Sequence, residues 1–256
     1  MPSDLPDGLH AVQRDGPDDD SPLVVLVHGV LDSSASFAAV IDRLPEYHVL
    51  TYDRRGYGRS DFASEGPTSL AGHADDLLAL LGERRATVVG HSMGGNVAMV
   101  AADRRPDLVV ATAGYEVHAP WLDCWPKEVQ DNVMAIAGSD PLQVGEDSFK
   151  RTFGEDSWDA LADGDRRRRR EEGRAYQSDL ATGWETQFAF EDPKVPCVLG
   201  CGERSVAFFV DATRQLAADL GATYVEIARA RHGAHITHPD EFASFVRTTV
   251  DAGTRG

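Results

Sequence analysis

Apolar runs of strand length recur along the chain, and each is followed by residues at helical spacing. Leu23-Val24-Val25-Leu26-Val27 has no polar interruption, the pattern of a strand buried on both faces of a parallel sheet. Behind it Phe37, Val40, Ile41 and Leu44 share a helical face, and Ser33 or Ser34 is placed to cap that helix. The alternation continues with a strand at His48–Tyr52, a helix from about Ser69 to Leu81, a strand at Ala86–Val89, a helix over Asn96–Asp103 and an apolar run over Leu108–Ala113. A short first strand is expected at Leu9–Gln13, ahead of the polar turn Asp15–Asp20. Strands separated by helices imply right-handed crossovers. The predicted fold class is therefore α/β, a mostly parallel central sheet flanked by helices.

The alternation stops at Glu116. Residues 117–192 carry helical and turn patterns without a clear strand. It resumes with a strand at Val195–Leu199, a helix over Val206–Leu220, a strand at Thr223–Ile227 and a helix from Pro239 to about Val250. The expected organisation is one core domain made of residues 1–116 and 193–256. Residues 117–192 are expected to form a helical cap over the carboxyl edge of the sheet, where ligands bind in such folds. Within that stretch Arg166–Arg170 is followed by Glu171 and Glu172. Five successive helical residues point in every direction, and the pairs Arg167–Glu171 and Arg168–Glu172 suit a solvated helix better than an anion site.

Composition narrows the class of partner. At 256 residues and 42% hydrophobic content the chain can bury one substantial core. A net charge of -17 repels nucleic acid and anionic membranes; oligomeric state is not set by the sequence. The basic residues are arginines apart from Lys127, Lys150 and Lys194, a bias that suits a high-salt interior but is expected to reflect Arg-rich codon usage. Cys124, Cys197 and Cys201 contain no C-x-x-C pair of the kind that binds zinc. Cys197 and Cys201, four apart on a strand, stand about 13 Å apart, too far for a disulfide. The first ten residues lack a basic segment followed by an apolar run, and no stretch approaches the ~20 apolar residues of a membrane span. A soluble cytoplasmic protein is expected.

The chemistry centres on Gly90-His91-Ser92-Met93-Gly94-Gly95, a glycine-bracketed serine between a strand and a helix. Small flanking residues allow a sharp turn that exposes the serine hydroxyl, with the helix N-terminus aimed at it. Such a serine needs a neighbouring base, because its hydroxyl is barely ionised at neutral pH. His232, His235 and His238 are the histidines late in the chain. Asp53 and Arg54, polar residues of a glycine-rich turn, read as loop-fixing.

Taken with His28-Gly29 after the first core strand, the loop Asp53-Arg54-Arg55-Gly56-Tyr57-Gly58-Arg59-Ser60, and His232-Gly233-Ala234-His235 before Pro239, this elbow resembles the α/β-hydrolase superfamily. The resemblance covers most of residues 22–116 and 193–250. It implies Ser92 as nucleophile and the order serine, acid, histidine. It implies His232, seven residues before Pro239, as base, with His235 its companion and understudy. Backbone N–H groups of Val30 and Met93 would form the oxyanion hole, with His28 shaping that loop beside the pocket and His91 packed behind the elbow.

One departure stands out. Where the family commonly reads Gly-Glu-x-Asp after the strand at Val195–Leu199, this chain has Gly202-Glu203-Arg204-Ser205, and Ser205 cannot carry the negative charge that stabilises an imidazolium. Some family members place the acid after the preceding core strand, which here makes Glu116 the expected acid, with Glu203 and Asp211 as alternatives. Trp121, Trp125, Trp158 and Trp184, with Phe149, Phe153, Phe188 and Phe190, all fall in the expected cap. Some should bind the cap to the sheet, while Trp121 and Trp125 are expected to line an apolar pocket.

The resemblance thus implies a serine hydrolase needing no cofactor or metal, cleaving an ester, thioester or lactone of a small, partly apolar substrate. Carbon–carbon bond hydrolysis by the same triad, or a catalytically weak ligand-binding or sensor protein, are the alternatives. Ser92 in place of a carboxylate argues against the chemistry of the epoxide hydrolases and haloalkane dehalogenases of this fold.

Overall fold

The computed structural model describes residues 6–62, 68–183 and 193–255. Seven strands, β1 (Ala11–Arg14), β2 (Leu23–Val27), β3 (His48–Tyr52), β4 (Ala86–His91), β5 (Val109–Tyr115), β6 (Cys197–Gly202) and β7 (Thr223–Ile227), form one sheet in the order β1-β3-β2-β4-β5-β6-β7. β1 runs antiparallel to β3 at one edge, and the other pairings are parallel.

Alternate residues of β2 face opposite sides. Val25 and Val27 pack with Leu77, Leu80, Val97 and Ala101 from α2 (Leu70–Leu81) and α3 (Met93–Arg104). Val24 and Leu26 pack with Phe37, Val40, Phe242 and Val246 on the other face, where α1 (Ala38–Ile41) and α10 (Pro239–Thr254) lie. Both faces of the strand are therefore dry, as its unbroken apolar run predicts. Ser69 caps α2, its side chain accepting from the Gly72 N–H. Ser33 precedes a 3-10 turn over Ser34–Phe37 that runs into α1, and its side chain makes no capping bond. α8 (Ala207–Asp219) covers the β6 side, and a one-turn helix, α9 (Ala234–Thr237), stands before α10.

Two element ends differ from the apolar pattern for one reason. β4 continues through Gly90-His91 and β6 through Gly200-Cys201-Gly202, while α3 begins at Met93 and includes Gly94 and Gly95. Glycine contributes no hydrophobic signal and has poor intrinsic propensity for either element. Here the backbones approach so closely that tertiary packing decides.

Between β5 and β6 the chain forms α4 (Lys127–Ala137), α5 (Pro141–Phe153), α6 (Glu155–Asp159) and α7 (Asp163–Thr182). Trp158 is buried against Phe149, ring centroids 5.6 Å apart, so these two aromatics hold helices together. Trp184, Phe188 and Phe190, and the side chain of Phe153, lie outside the described residues. The arginine run is not the solvated face its spacing suggests. Arg168 donates to the carbonyls of Gly58, Tyr57 and Ser60 instead of pairing with Glu172. Arg169 pairs with the buried Glu172, and Arg170 with Glu146 on α5. The three cysteines are unpaired. Among the described residues no helix is long and apolar enough to cross a membrane.

Candidate active site

Ser92 follows directly on β4 and holds φ 51° and ψ −126°, a left-handed conformation costing a non-glycine residue on the order of 1–3 kcal/mol. Its N–H donates to Tyr115 O at 2.8 Å and its carbonyl accepts from Gly95 N. Glycine is required beside it by space: a Cβ on Gly90 would lie 2.1 Å from Gly94 C, and one on Gly94 2.2 Å from Val27 O. Leu31, Glu116 and Arg229 also have positive φ. Leu31 adjoins Val30, Glu116 follows β5, and Arg229 precedes His232, so the backbone strain clusters around one place.

Register explains why Ser92 and Glu116 are neighbours. His91 pairs with Tyr115 across β4 and β5, so the residues after them leave adjacent strands side by side at the carboxyl edge. Glu116 is fully buried. Its Oε2 lies 2.8 Å from His232 Nδ1, and its Oε1 accepts from Gly202 N at 2.8 Å and from the Ser205 hydroxyl. Of the three carboxylates considered, Glu116 is the one that meets His232. Glu203 accepts from the Arg229 N–H at 2.6 Å, bracing the histidine loop, and Asp211 is exposed on α8.

His232 is 41% exposed along its side chain and stacks on Phe209 at 4.8 Å. Its loop is pinned from below: Tyr115 OH donates to Arg231 O at 3.0 Å, and His91 Nε2 donates to His232 O at 2.8 Å. Among the described residues no hydrogen bond links Ser92 Oγ to His232; such bonds are often long in unliganded enzymes and tighten with substrate. His235 is buried between His91 and Phe37 with Nε2 3.4 Å from Asp32. It faces that carboxylate and not Glu116, which removes it as an understudy for His232. His238 is half-exposed and bonded to Thr237.

The loop bearing Val30 is held by a buried polar network. His28 is fully buried and presents both ring nitrogens to backbone, Nδ1 to Gly29 O at 2.7 Å and Nε2 to the Arg54 N–H at 2.8 Å. With no ring atom left for a substrate, it is a loop residue rather than a lining residue of the pocket. Burial, reinforced by the Arg54 guanidinium, pushes it down to about 4, so it is neutral at pH 7. Arg54 donates to His28 O and Gly29 O and forms a two-pronged pair with Asp179 of α7, at 3.1 and 2.8 Å. Both partners are fully buried. Tyr57 OH also donates to Asp179 at 2.7 Å, and His73 Nε2 lies 3.1 Å from it. Despite its burial the Asp179 carboxyl is held well below its usual range by Arg54. Because the C=O and N–H of a trans peptide point in opposite directions, holding Gly29 O fixes the direction of the Val30 N–H. Asp53 fixes the same turn by accepting from Ser34 N and Arg59 N.

Asp179 did not stand out in the sequence. Glu172, Ala175 and Asp179 share one face of α7, and two acids on a face read as solvated, whereas the structure buries all three. Trp125 is buried with Phe208 and Phe209 at 4.8 and 5.4 Å and His118 at 4.9 Å, so it is a core residue of the wall behind Phe209. Trp121 is partly exposed at the edge of that cluster. A separate cavity of about 470 Å³ lies beside α7, lined by Ser33, Asp53, Arg59, Arg168 and Glu172 among others. It includes none of Ser92, Glu116 or His232.

The sequence profile described as the alpha/beta hydrolase family matches residues 24–245. RutD of Caulobacter sp. (strain K31), provisionally named a carbamate hydrolase, is 37% identical over 111 residues, 42% of this chain and 41% of that protein. Two proteins of Mycobacterium tuberculosis (strain ATCC 25618 / H37Rv) match comparably. Lipase LipV is 40% identical over 106 residues, 40% of this chain and 39% of LipV; epoxide hydrolase B is 36% identical over 115 residues, 43% of this chain and 32% of that enzyme. The match spans less than half the length of each of these relatives. Among solved structures, the enol-lactonase from Burkholderia xenovorans LB400 superimposes with a TM-score of 0.68 at 24% identity, covering 95% of this chain and 96% of that one. The family match over most of the sequence, the sheet order and the serine elbow at its carboxyl edge together make this chain a member of the alpha/beta hydrolase family.

Proposed function

We propose that this hydrolase cleaves an ester, thioester or lactone through an acyl-enzyme on Ser92, with His232 as base and Glu116 as the acid of the triad. The observation that carries the reading is the 2.8 Å contact between His232 Nδ1 and the buried Glu116 carboxylate, beside a strained serine elbow. In this scheme His232 Nε2 takes the Ser92 proton as Oγ attacks the substrate carbonyl. Glu116 holds the Nδ1–H tautomer and stabilises the imidazolium that forms. The N–H groups of Val30 and Met93 receive the developing oxyanion, and His232 then protonates the leaving group. Water, deprotonated by the same imidazole, releases the acid product. The helices α4 to α7 act as a cap, and Phe209 and Trp121 line an apolar wall for a small, partly apolar substrate.

LipV and RutD are named for acyl-bond substrates, which supports this class. The name of epoxide hydrolase B points elsewhere, but a serine at the elbow suits acyl transfer better than the carboxylate-nucleophile chemistry of epoxide opening. The motive for a ligand-binding reading was Ser205 at the usual acid position, and the contact of Glu116 with His232 favours catalysis instead.

A fluorophosphonate probe is expected to label Ser92 in the intact protein, and a chromogenic short-chain ester to be turned over by wild type. Ser92→Ala should lose labelling and fall by at least about 10³ in kcat. Equal turnover by wild type and Ser92→Ala would sink the acyl-enzyme reading.

A further inference from the structure

Behind the elbow three side chains from three segments converge without satisfying one another. Asp32 lies two residues after Val30, His91 immediately precedes Ser92, and His235 lies on α9, three residues after His232. One ligand atom from each lies within 4.8 Å of the other two. His91 and His235 are 6% and 1% exposed, with ring centroids 4.2 Å apart at a 44° tilt.

The protons in this cluster can be placed. His91 Nε2 faces the His232 carbonyl oxygen, which only accepts, so Nε2 carries the hydrogen and Nδ1 is a bare lone pair. That Nδ1 is buried with no hydrogen-bond partner among the described residues, and so are both ring nitrogens of His235. His235 Nε2 stands 3.4 Å from Asp32 Oδ2 but is not aligned for a hydrogen bond. Buried polar atoms left unsatisfied are rare and costly, and several of them here surround one carboxylate. A proton on His235 could answer Asp32, but it would leave the His91 lone pair unmet. A cation answers the Asp32 carboxylate, the His91 lone pair and one ring nitrogen of His235 together.

The donor set, and the supports of His91 and Asp32, suit a metal. Zinc–nitrogen and zinc–oxygen bonds of about 2.0–2.2 Å put tetrahedral ligand atoms roughly 3.4 Å apart, the separation found between His235 and Asp32. The other separations, within 4.8 Å, would shorten on binding to reach that spacing throughout. Ligating histidines donate their other ring N–H to a carbonyl or carboxylate, and ligating carboxylates accept further hydrogen bonds. His91 donates to His232 O, and Asp32 accepts from Ser33 N at 2.8 Å and from the Ser36 hydroxyl at 3.0 Å.

We propose that Asp32, His91 and His235 form a binding site for one divalent transition metal of the zinc class. Two imidazoles and a carboxylate are the wrong set for calcium or magnesium, which take oxygen ligands, and lack the thiolates that select Cu(I). Asp32 is 22% exposed along its side chain, so water has access to complete the coordination. The ion would join the oxyanion loop, the elbow and the histidine loop, holding in register the three segments that meet at Ser92.

Chelator-treated full-length protein is titrated with Co²⁺, followed by visible absorption, and with Zn²⁺, followed by calorimetry and by Tm. The expected result is one equivalent bound, an intense four-coordinate Co²⁺ spectrum displaced by Zn²⁺, and a raised Tm. Asp32→Asn and His235→Gln should each weaken Zn²⁺ binding by at least about 100-fold. Asp32→Asn keeps the shape of a partly exposed side chain, which guards against loss of the fold as the cause. Ser92→Ala and His232→Gln should bind as wild type does, so the outcome is independent of whether the acyl-enzyme reading stands. Failure of the wild-type protein to bind one equivalent overturns the proposal, as does equal binding by Asp32→Asn and His235→Gln, which would place the metal on other histidines.

Discussion

Ser205 occupies the position where the resembling family commonly carries its acid, yet its hydroxyl donates to the carboxylate that meets His232 from the neighbouring strand end. The Gly202 N–H completes the cradle of that carboxylate, so Glu116 is oriented by two donors before it receives the histidine. Glu116→Gln keeps the size of the side chain but loses its charge and favours the wrong histidine tautomer. Turnover of a short-chain ester by this variant is expected to fall by about 10³–10⁴. Adding Ser205→Asp to Glu116→Gln returns a carboxylate to the same cradle and should recover at least about tenfold over the single variant. No recovery would mean that position 205 cannot reach the imidazole. Glu116 was legible through the family resemblance, which allows an acid at the end of this apolar run, whereas its two donors were not, since a glycine N–H and a serine hydroxyl carry no pattern.

At the scale of elements, α7 is tied to the loop after β2 by a buried charge pair rather than by apolar packing alone. Arg54 spans from Gly29 O to Asp179, with no water available to either partner. Removing one member strands the other: Asp179→Ala is expected to lower unfolding stability by about 3–5 kcal/mol in urea. Arg54→Met combined with Asp179→Leu should recover only part of that loss, because it removes both charges but leaves the Tyr57 hydroxyl and the His28 and Gly29 carbonyls without these partners. The double variant should still lower kcat, since Gly29 O is no longer held from the Arg54 side. Strands were legible wherever both faces are buried, as in β2. The elements that end in glycine, β4 and β6, outrun their apolar signal, because close backbone approach selects for the missing side chain there.

For the molecule as a whole, buried neutral histidines set the acid limit of stability. His28 is pushed down to about 4 by burial and Arg54, and His118 to about 4 by burial. An unfolded histidine titrates near 6.5, so between about pH 6.5 and 4 the unfolded chain binds protons that the folded chain refuses. Stability is therefore full above about pH 7 and falls as the pH drops through that window, with a slope of up to about 2.7 kcal/mol per pH unit from the two groups. Urea titrations at intervals from pH 7.5 to 4.5 measure the slope. His118→Phe should reduce it by about 1.4 kcal/mol per pH unit, and an unchanged slope would show that His118 is not the group responsible.

By itself the sequence determined the alternation of strands and helices and the elbow, because periodicity and strand-end motifs are local properties of the chain, and the family resemblance added the candidate residues. The donors that hold Glu116, the burial of Asp179 against Arg54 and the meeting of Asp32, His91 and His235 were decided by tertiary structure alone. Each joins residues far apart in sequence whose contact depends on strand register and on which charged groups are removed from water. Charged side chains read as solvated until packing leaves them no water, so the polar interior of this protein was the part its sequence concealed.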